Sequence, residues 1–248
     1  ALSNSSATLK AWSVSFNTWT PPALSSEARS WQGTLWRMVE AQHVAATMKL
    51  VDSPAEQDLL EALLEGSKPA APADTAGLDY LLASPFRYSP HSGGSRFRGP
   101  FDPGVFYGAD TVATACAELG FWRWKFLRDA PGLKRLDPVA HTAFQARVAT
   151  TALDLRTPPL DRDAAAWTHP ADYAATQRLA RSAREATIGA IRYQSVRSPT
   201  PAWCMALLTP SAFATPKPLS AQTWWLALGP DEVQWRRERE SFVFSTAA

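Results

Sequence analysis

Two cysteines in 248 residues cannot build a disulfide framework, and no pair of Cys or His residues recurs at a spacing that would hold zinc. Cys116 and Cys204 stand far apart inside apolar stretches and read as buried free thiols of a reducing compartment. No apolar run reaches the roughly 18 residues of a membrane span. The opening ALSNSSATLKAWSVSF lacks the basic start and apolar stretch of a signal peptide, so a cytoplasmic protein with no membrane partner is expected. An excess of one charge is also missing. Lys and Arg number 25 against 23 Asp and Glu, and a net +2 is too balanced for a chain that binds nucleic acid directly. The locally charged WRRERE of residues 235–240 alternates in sign and reads as solvated surface. Gly-rich nucleotide fingerprints and internal repeats are absent.

Large apolar side chains are plentiful. Hydrophobic residues make up 46% of the chain, with 11 Trp and 11 Phe, enough to fill the core of one large domain and to wall a pocket for flat rings.

Residues 1–24 are rich in Ser and Thr, end in Thr20-Pro21-Pro22, and read as an extended arm. Trp36, Val39, Glu40, His43, Val44, Thr47 and Leu50 fall at helical spacing and predict a helix across residues 26–50, capped by Ser25 or Ser26. A second helix starts at Ser53-Pro54, with Ser as cap, and stops at Gly66. Residues 67–76 form a Pro/Ala linker. The boundaries predicted are 1–76 for an arm with a helical segment and 77–248 for the main domain, with a single integrated domain as the alternative.

From residue 84 to 104 the chain is rich in Gly, Pro and Ser and carries Arg87, Tyr88, His91, Arg96 and Arg98. The strand Val105-Phe106-Tyr107 leads to Asp110, read as the cap of a helix over 111–127. Strands are expected at 146–155, 188–194, 203–208 and 224–228, with a polar helix at 171–185. The absence of a βαβ rhythm argues for an α+β fold over a doubly wound one.

Chemistry concentrates in two segments. Glycines in the first let the backbone bend closely around a ligand, and arginines are suited to a bidentate grip on pyrophosphate or carboxylate. Glu118 sits in the apolar ATACAELGFW, either on an exposed face or in a pocket. In the second segment, alternation along IRYQSVR sets Arg192 opposite Tyr193, with Ser195 on the side of Tyr193. Each residue also has an ordinary reading: a solvated helical Glu, a turn-forming Ser195, and Arg98 or Arg197 paired with acids such as Asp102 or Asp110.

Taken jointly, GGSRFRGPFDPGVFYGADTVATACAE followed after a long gap by GAIRYQSVR resembles the RES domain, named for an Arg, a Glu and a Ser. The Arg-aromatic step falls on Arg96-Phe97, with Arg98 as the competing arginine. The family's Tyr and Glu fall on Tyr107 and Glu118, eleven positions apart. The Tyr-x-Ser-x-Arg step falls on Tyr193, Ser195 and Arg197, with Ser198 as a second nearby hydroxyl. A further Arg-Tyr pair falls on Arg87-Tyr88.

The resemblance implies an ADP-ribosyltransferase-like mixed sheet with an N-terminal helical segment, and a toxin that breaks NAD⁺ at its nicotinamide–ribose bond. Arg96, Glu118 and Ser195 would be catalytic, and Arg87, Tyr88, Tyr107, Arg98 and Arg197 would bind substrate. NAD⁺ is then substrate, with no cofactor and no metal, and the acceptor is water, inorganic phosphate or a macromolecule. An Xre-type antitoxin is the implied protein partner. The alternatives are an ADP-ribosyltransferase with a macromolecular target and an inactive binding module of the same fold. Ser195 lacks a paired histidine base and reads as a hydrogen-bond donor, not a nucleophile. His91 lies in the arginine loop, in reach of a phosphate or simply solvated. His43 either borders the pocket or is buried and hydrogen-bonded, and His141 and His169 show no partner pattern.

Overall fold

The computed structural model describes residues 19–41, 51–88, 94–130, 132–133 and 137–246. The expected extended arm ends in a helix. Proline at the first helical positions sacrifices no hydrogen bond, and Pro21-Pro22 open helix α1, Pro21–Glu27. The helix predicted over residues 26–50 is not formed in its described part, where Arg29–Glu40 is strand β1. Twelve consecutive residues of β1 pair antiparallel with strand β3, Val139–Asp154, from Arg29 opposite Ala152 to Glu40 opposite His141. A helix would forfeit that ladder, and Gly33 among Trp, Thr and Val weakens the helical alternative. His43 and Thr47 lie outside the described residues.

Helix α2, Pro54–Ser67, forms where the sequence places it, and the Ser53 hydroxyl accepts from the Glu56 N–H at 3.2 Å. Helix α3, Tyr80–Arg87, is unforeseen; the Asp79 carboxylate caps it at the Leu81 N–H (2.9 Å), so the loop predicted from residue 84 begins inside a helix. Strand β2 is Phe106–Ala109 and helix α4 is Val112–Asp129. The cap of α4 is Thr111, whose hydroxyl accepts from Thr114 N–H, while Asp110 accepts from the Trp203 N–H at 3.2 Å. The expected Asp110 cap is thus displaced, because that carboxylate joins β2 to a neighbouring strand. There follow α5 (Ala164–Trp167), α6 (Ala174–Glu185), β4 (Ala190–Gln194), β5 (Trp203–Leu207), β6 (Ser220–Leu228), β7 (Glu232–Arg237) and β8 (Glu240–Ser245). The WRRERE run belongs to the β7–β8 hairpin: Val233 and Trp235 point into the core while Gln234 and Arg236 face solvent. Its charges are solvated as expected, but on a strand.

The described strands form one mixed sheet in the order β1-β2-β5-β4-β3-β6-β7-β8, and β1 also bonds β3. This closes β1, β2, β5, β4 and β3 into a ring. Only β3 and β4 run parallel among the described pairs. The fold is α+β, and because β1 is a member of the ring, a boundary at residue 76 would cut through the sheet.

Period-two alternation sends successive side chains to opposite faces. Leu35, Phe106, Phe144, Met205 and Leu207 fill one apolar cluster. Met38, Leu153, Ile191, Tyr193 and Cys204 face the other, which also takes in Cys116 and Trp124 of α4 and Leu179 of α6. Tyr107 and Tyr193 belong to this second side, while Arg37, between Trp36 and Met38, packs on Phe106 of the first. Both cysteines are free and buried. No helix among the described residues is long and apolar enough to cross a membrane.

Candidate functional site

The loop that carries Arg96 is a tight turn closed by two backbone bonds, Ser95 N–H to Arg98 C=O at 2.7 Å and Arg98 N–H to Ser95 C=O at 3.1 Å. Gly94 enters it at φ +68°, where an added Cβ would stand 2.2 Å from the Arg98 carbonyl oxygen, so glycine is required. The half-buried Tyr107 on β2 fixes the turn to the sheet. Its hydroxyl accepts from the Phe97 N–H at 3.0 Å and pairs with Ser95 Oγ at 2.7 Å. From the other side, Thr176 Oγ1 donates to the Arg96 carbonyl, and Gln177 Nε2 donates to those of Ser95 (3.0 Å) and Arg98 (3.3 Å). Phe97 is fully buried against Tyr193, ring centroids 4.8 Å apart.

Arg96 is only 8% exposed. Its Nη1 donates to the carbonyls of Trp167 (2.8 Å) and His169 (3.0 Å), and the guanidinium lies over the Tyr173 ring at 4.7 Å. Glu118 rises from the sheet-facing side of α4. Ser195 Oγ donates to Glu118 Oε1 at 2.6 Å and accepts the N–H groups of Arg197 (3.3 Å) and Ser198 (3.2 Å). The Cys204 thiol approaches the same carboxylate oxygen at 3.8 Å. Oε2 has no protein partner among the described residues. Burial raises the Glu118 pKa above its ordinary value, against the lowering influence of Ser195, Arg96, Arg197 and Cys204.

Arg96 and Glu118 share a cleft of about 270 Å³, lined also by Arg37, Tyr107, Trp122, Tyr173, Tyr193, Arg197 and Cys204. The buried Ser195 is not among the lining residues and reaches the cleft through Glu118. Arg197 stacks over Phe121 at 3.5 Å and donates to the Pro170 carbonyl at 2.6 Å. Arg37 is held by the Tyr107 carbonyl (2.9 Å) and the Phe106 ring (4.8 Å), and its Nε is shielded from solvent with no partner. Burial lowers its pKa to about 10, against the raising influence of Tyr107 and Tyr193.

The sheet and α4 therefore bring Arg96, Glu118, Ser195, Tyr107 and Arg197 together. Arg98 is not among the cleft-lining residues; its Nε donates to the Asp102 carbonyl at 3.1 Å. Arg87 and Tyr88 are not brought there either. Arg87 pairs with Glu65 of α2 at 2.7 Å and with the Pro69 carbonyl, because α3 ends pointing toward α2. Ser198 contributes its N–H, not a second hydroxyl. Arg192 faces the opposite side of the sheet, stacked over Trp203 at 3.9 Å and 3.6 Å from Asp154. His141 is buried beside Trp235, and the His169 ring accepts the N–H groups of Ala171 and Asp172. His91 lies outside the described residues. Among the described residues no three His, Cys, Asp or Glu side chains gather into a metal-binding group.

Sequence reasoning missed Arg37, Trp122 and Tyr173. Arg37 was hidden by the helical reading of its segment. The signal that could have exposed it is the strand-forming composition of residues 29–40, which turns Trp36-Arg37-Met38 into part of a sheet beside Tyr107.

A chain of the M. tuberculosis MbcT–MbcA toxin–antitoxin complex aligns over 87% of this chain and 94% of its own length, with 13% identity and a TM-score of 0.49. A search of curated proteins gave no match. The RES domain model matches residues 70–229, well over half of the chain, a span that holds Arg96, Tyr107, Glu118, Ser195 and Arg197. The chain belongs to the RES-domain family.

Proposed function

We propose that this protein is a toxin enzyme that cleaves NAD⁺ at the nicotinamide–ribose bond. One observation carries the reading: a half-buried carboxylate, fixed through one oxygen by Ser195 and open at the other, shares a single cleft with Arg37, Arg96 and Arg197. Nicotinamide leaves as a neutral molecule when the C1′–N bond breaks and its electron pair returns to the pyridinium ring, so no strong general acid is needed. The positive charge left at C1′ calls for a fixed carboxylate aimed into the cleft, the arrangement of Glu118. Ser195 orients that carboxylate instead of attacking, since its proton is already committed to Glu118 and no histidine base stands beside it. The arginines supply the charge-assisted donors that grip a pyrophosphate. Tyr107 acts one step back, holding the turn that presents Arg96.

The acceptor is water or inorganic phosphate, giving ADP-ribose or ADP-ribose-1″-phosphate. The purified protein is mixed with NAD⁺ in buffer with and without phosphate, free nicotinamide is followed, and the product is weighed by mass spectrometry. Nicotinamide release is expected, and phosphate should raise its rate and appear in the product. An unchanged rate with plain ADP-ribose leaves a hydrolase; absence of release overturns the enzyme reading. Labelled protein after addition of a lysate would mark the transferase alternative. The antitoxin partner follows from the family resemblance, and an open cleft able to destroy a central metabolite gives such a partner its physical rationale.

A further inference from the structure

The aromatic side chains that line the cleft differ in how much of their surface is already used. The Tyr107 hydroxyl is bonded to Ser95 and Phe97. Tyr193 is buried against Phe97, the Tyr173 ring carries the Arg96 guanidinium, and Trp36 packs against the core. Trp122 stands apart. It lines the cleft yet is 46% exposed, and its one close aromatic contact among the described residues is the edge of Phe121, at 5.4 Å. Arg197 lies 3.5 Å over Phe121 but 5.8 Å from the Trp122 ring, so the cation is seated on the neighbour. Phe126 and Trp225 are as exposed but line no part of this cleft, and single exposed aromatics of that sort need no explanation.

Trp122 follows Glu118 by four positions on α4, which puts both on one helix face about 6 Å apart along the axis. Long helical side chains lean toward the helix N-terminus, so the indole inclines over the turn that carries Glu118. A carboxylate beside the ribose C1′ leaves the ring bonded to that carbon within reach of this indole. In NAD⁺ that ring is a pyridinium cation, and indole is the strongest side-chain partner for a cation over its face.

We propose that Trp122 is the platform on which the cationic nicotinamide ring stacks, and that it makes the site select oxidised over reduced dinucleotide. The inference rests on the NAD⁺-cleaving reading. The positive charge disappears as the C1′–N bond breaks, so the neutral product ring holds less tightly than the substrate ring and leaves. Trp122 acts in binding and specificity, while Glu118 serves the bond-breaking step.

Glu118→Gln, which keeps the dinucleotide intact, supplies the background for calorimetric titration with NAD⁺, NADH and ADP-ribose. Adding Trp122→Ala should weaken NAD⁺ binding by about tenfold, the scale of a partly desolvated cation–π contact. NADH should weaken less, and ADP-ribose, which has adenine but no nicotinamide, should be unchanged. Trp122→Phe keeps the packing on Phe121 and should fall between the two. With Glu118 intact, Trp122→Ala should raise KM more than it lowers kcat. Equal loss for ADP-ribose would seat adenine on Trp122 and overturn the proposal, as would NAD⁺ affinity that does not change. If the parent protein neither binds NAD⁺ nor releases nicotinamide, the underlying reading falls as well. If it does both and only the Trp122 variants are silent, this inference alone is lost.

Discussion

Replacing Glu118 by Gln changes one charge and almost no volume, and its consequences for rate and for stability run in opposite directions. The amide oxygen can take over the bond from the Ser195 hydroxyl, now held at 2.6 Å, which turns the amide NH₂ toward the position of the free Oε2. A donor then faces the carbon where positive charge develops. Losing one preorganised electrostatic group costs about 10²–10³ in kcat, roughly 3–4 kcal/mol, and nicotinamide release should fall by at least that much. Stability should rise. Burial outweighs Ser195, Arg96 and Arg197 in setting the Glu118 pKa, so at neutral pH the native state holds a carboxylate it disfavours relative to the unfolded chain. Because the folded pKa is raised above its ordinary 4.5, that penalty is full above the folded value and vanishes as pH falls toward 4.5. Thermal unfolding should therefore show the Gln variant more stable at pH 8, with the gap closing near pH 4.5. A variant that unfolds at lower temperature at pH 8, or one that retains more than about a tenth of parental turnover, would refute this account of the carboxylate.

Arg37→Ala should raise KM for NAD⁺ strongly, whereas Arg87→Ala should leave it unchanged, since Arg87 is spent on Glu65; steady-state kinetics of both variants would expose a reversed order. Tyr107→Phe removes the acceptor of the Phe97 N–H and should cost about 1–3 kcal/mol in chemical denaturation, with turnover falling as the Arg96 turn loosens; undiminished stability and rate would show that the turn holds without it. His141 is buried, and burial lowers its pKa below 6.5, aided by Arg123 and opposed by the Val139 carbonyl and Glu40. The neutral ring is the native form, so its contribution is complete above pH 6.5 and is lost as pH falls below that value. The melting temperature of the parent should thus drop between pH 7 and pH 5 more steeply than that of His141→Phe, and parallel curves would contradict the assignment.

Local grammar was legible in the sequence where each element depends on its own residues. Ser53-Pro54 announced α2, and the eleven-residue step from Tyr107 to Glu118 crosses a strand end and a helix start that the sequence marks. Alternation along IRYQSVR correctly put Ser195 and Tyr193 on one side and Arg192 on the other. What escaped depends on partners distant in the chain. Residues 29–40 become a strand because β3 offers twelve partners, and the segment's Trp, Thr and Val content is compatible with a strand without naming the partner that decides it. The β7–β8 hairpin was masked by its charges, because an edge with one polar face reads locally as surface. Arg87 and Arg37 exchanged roles for the same reason. An Arg-Tyr pair in a glycine-rich stretch resembles a ligand grip, yet a helix turned it toward Glu65, while an unremarked Trp-Arg step was carried by the sheet to the cleft.

The pairing of β1 with residues at least a hundred positions later bears on when the cleft can form during synthesis. Domains form from the N-terminus as the ribosome delivers them at about 5–20 residues per second, and contacts distant in sequence are the slowest to close. Arg37 emerges early, but β1 meets β2 at a single register position and gains its twelve-residue ladder only once β3 has left the exit tunnel. Ser195 and β5 follow later still, and only then can Glu118 be oriented. A nascent chain therefore carries most of its catalytic groups for many seconds without a working cleft. That interval separates making the polypeptide from completing its cleft, and a product ending before Ser195 lacks both the hydroxyl and the Cys204 thiol that contact Glu118.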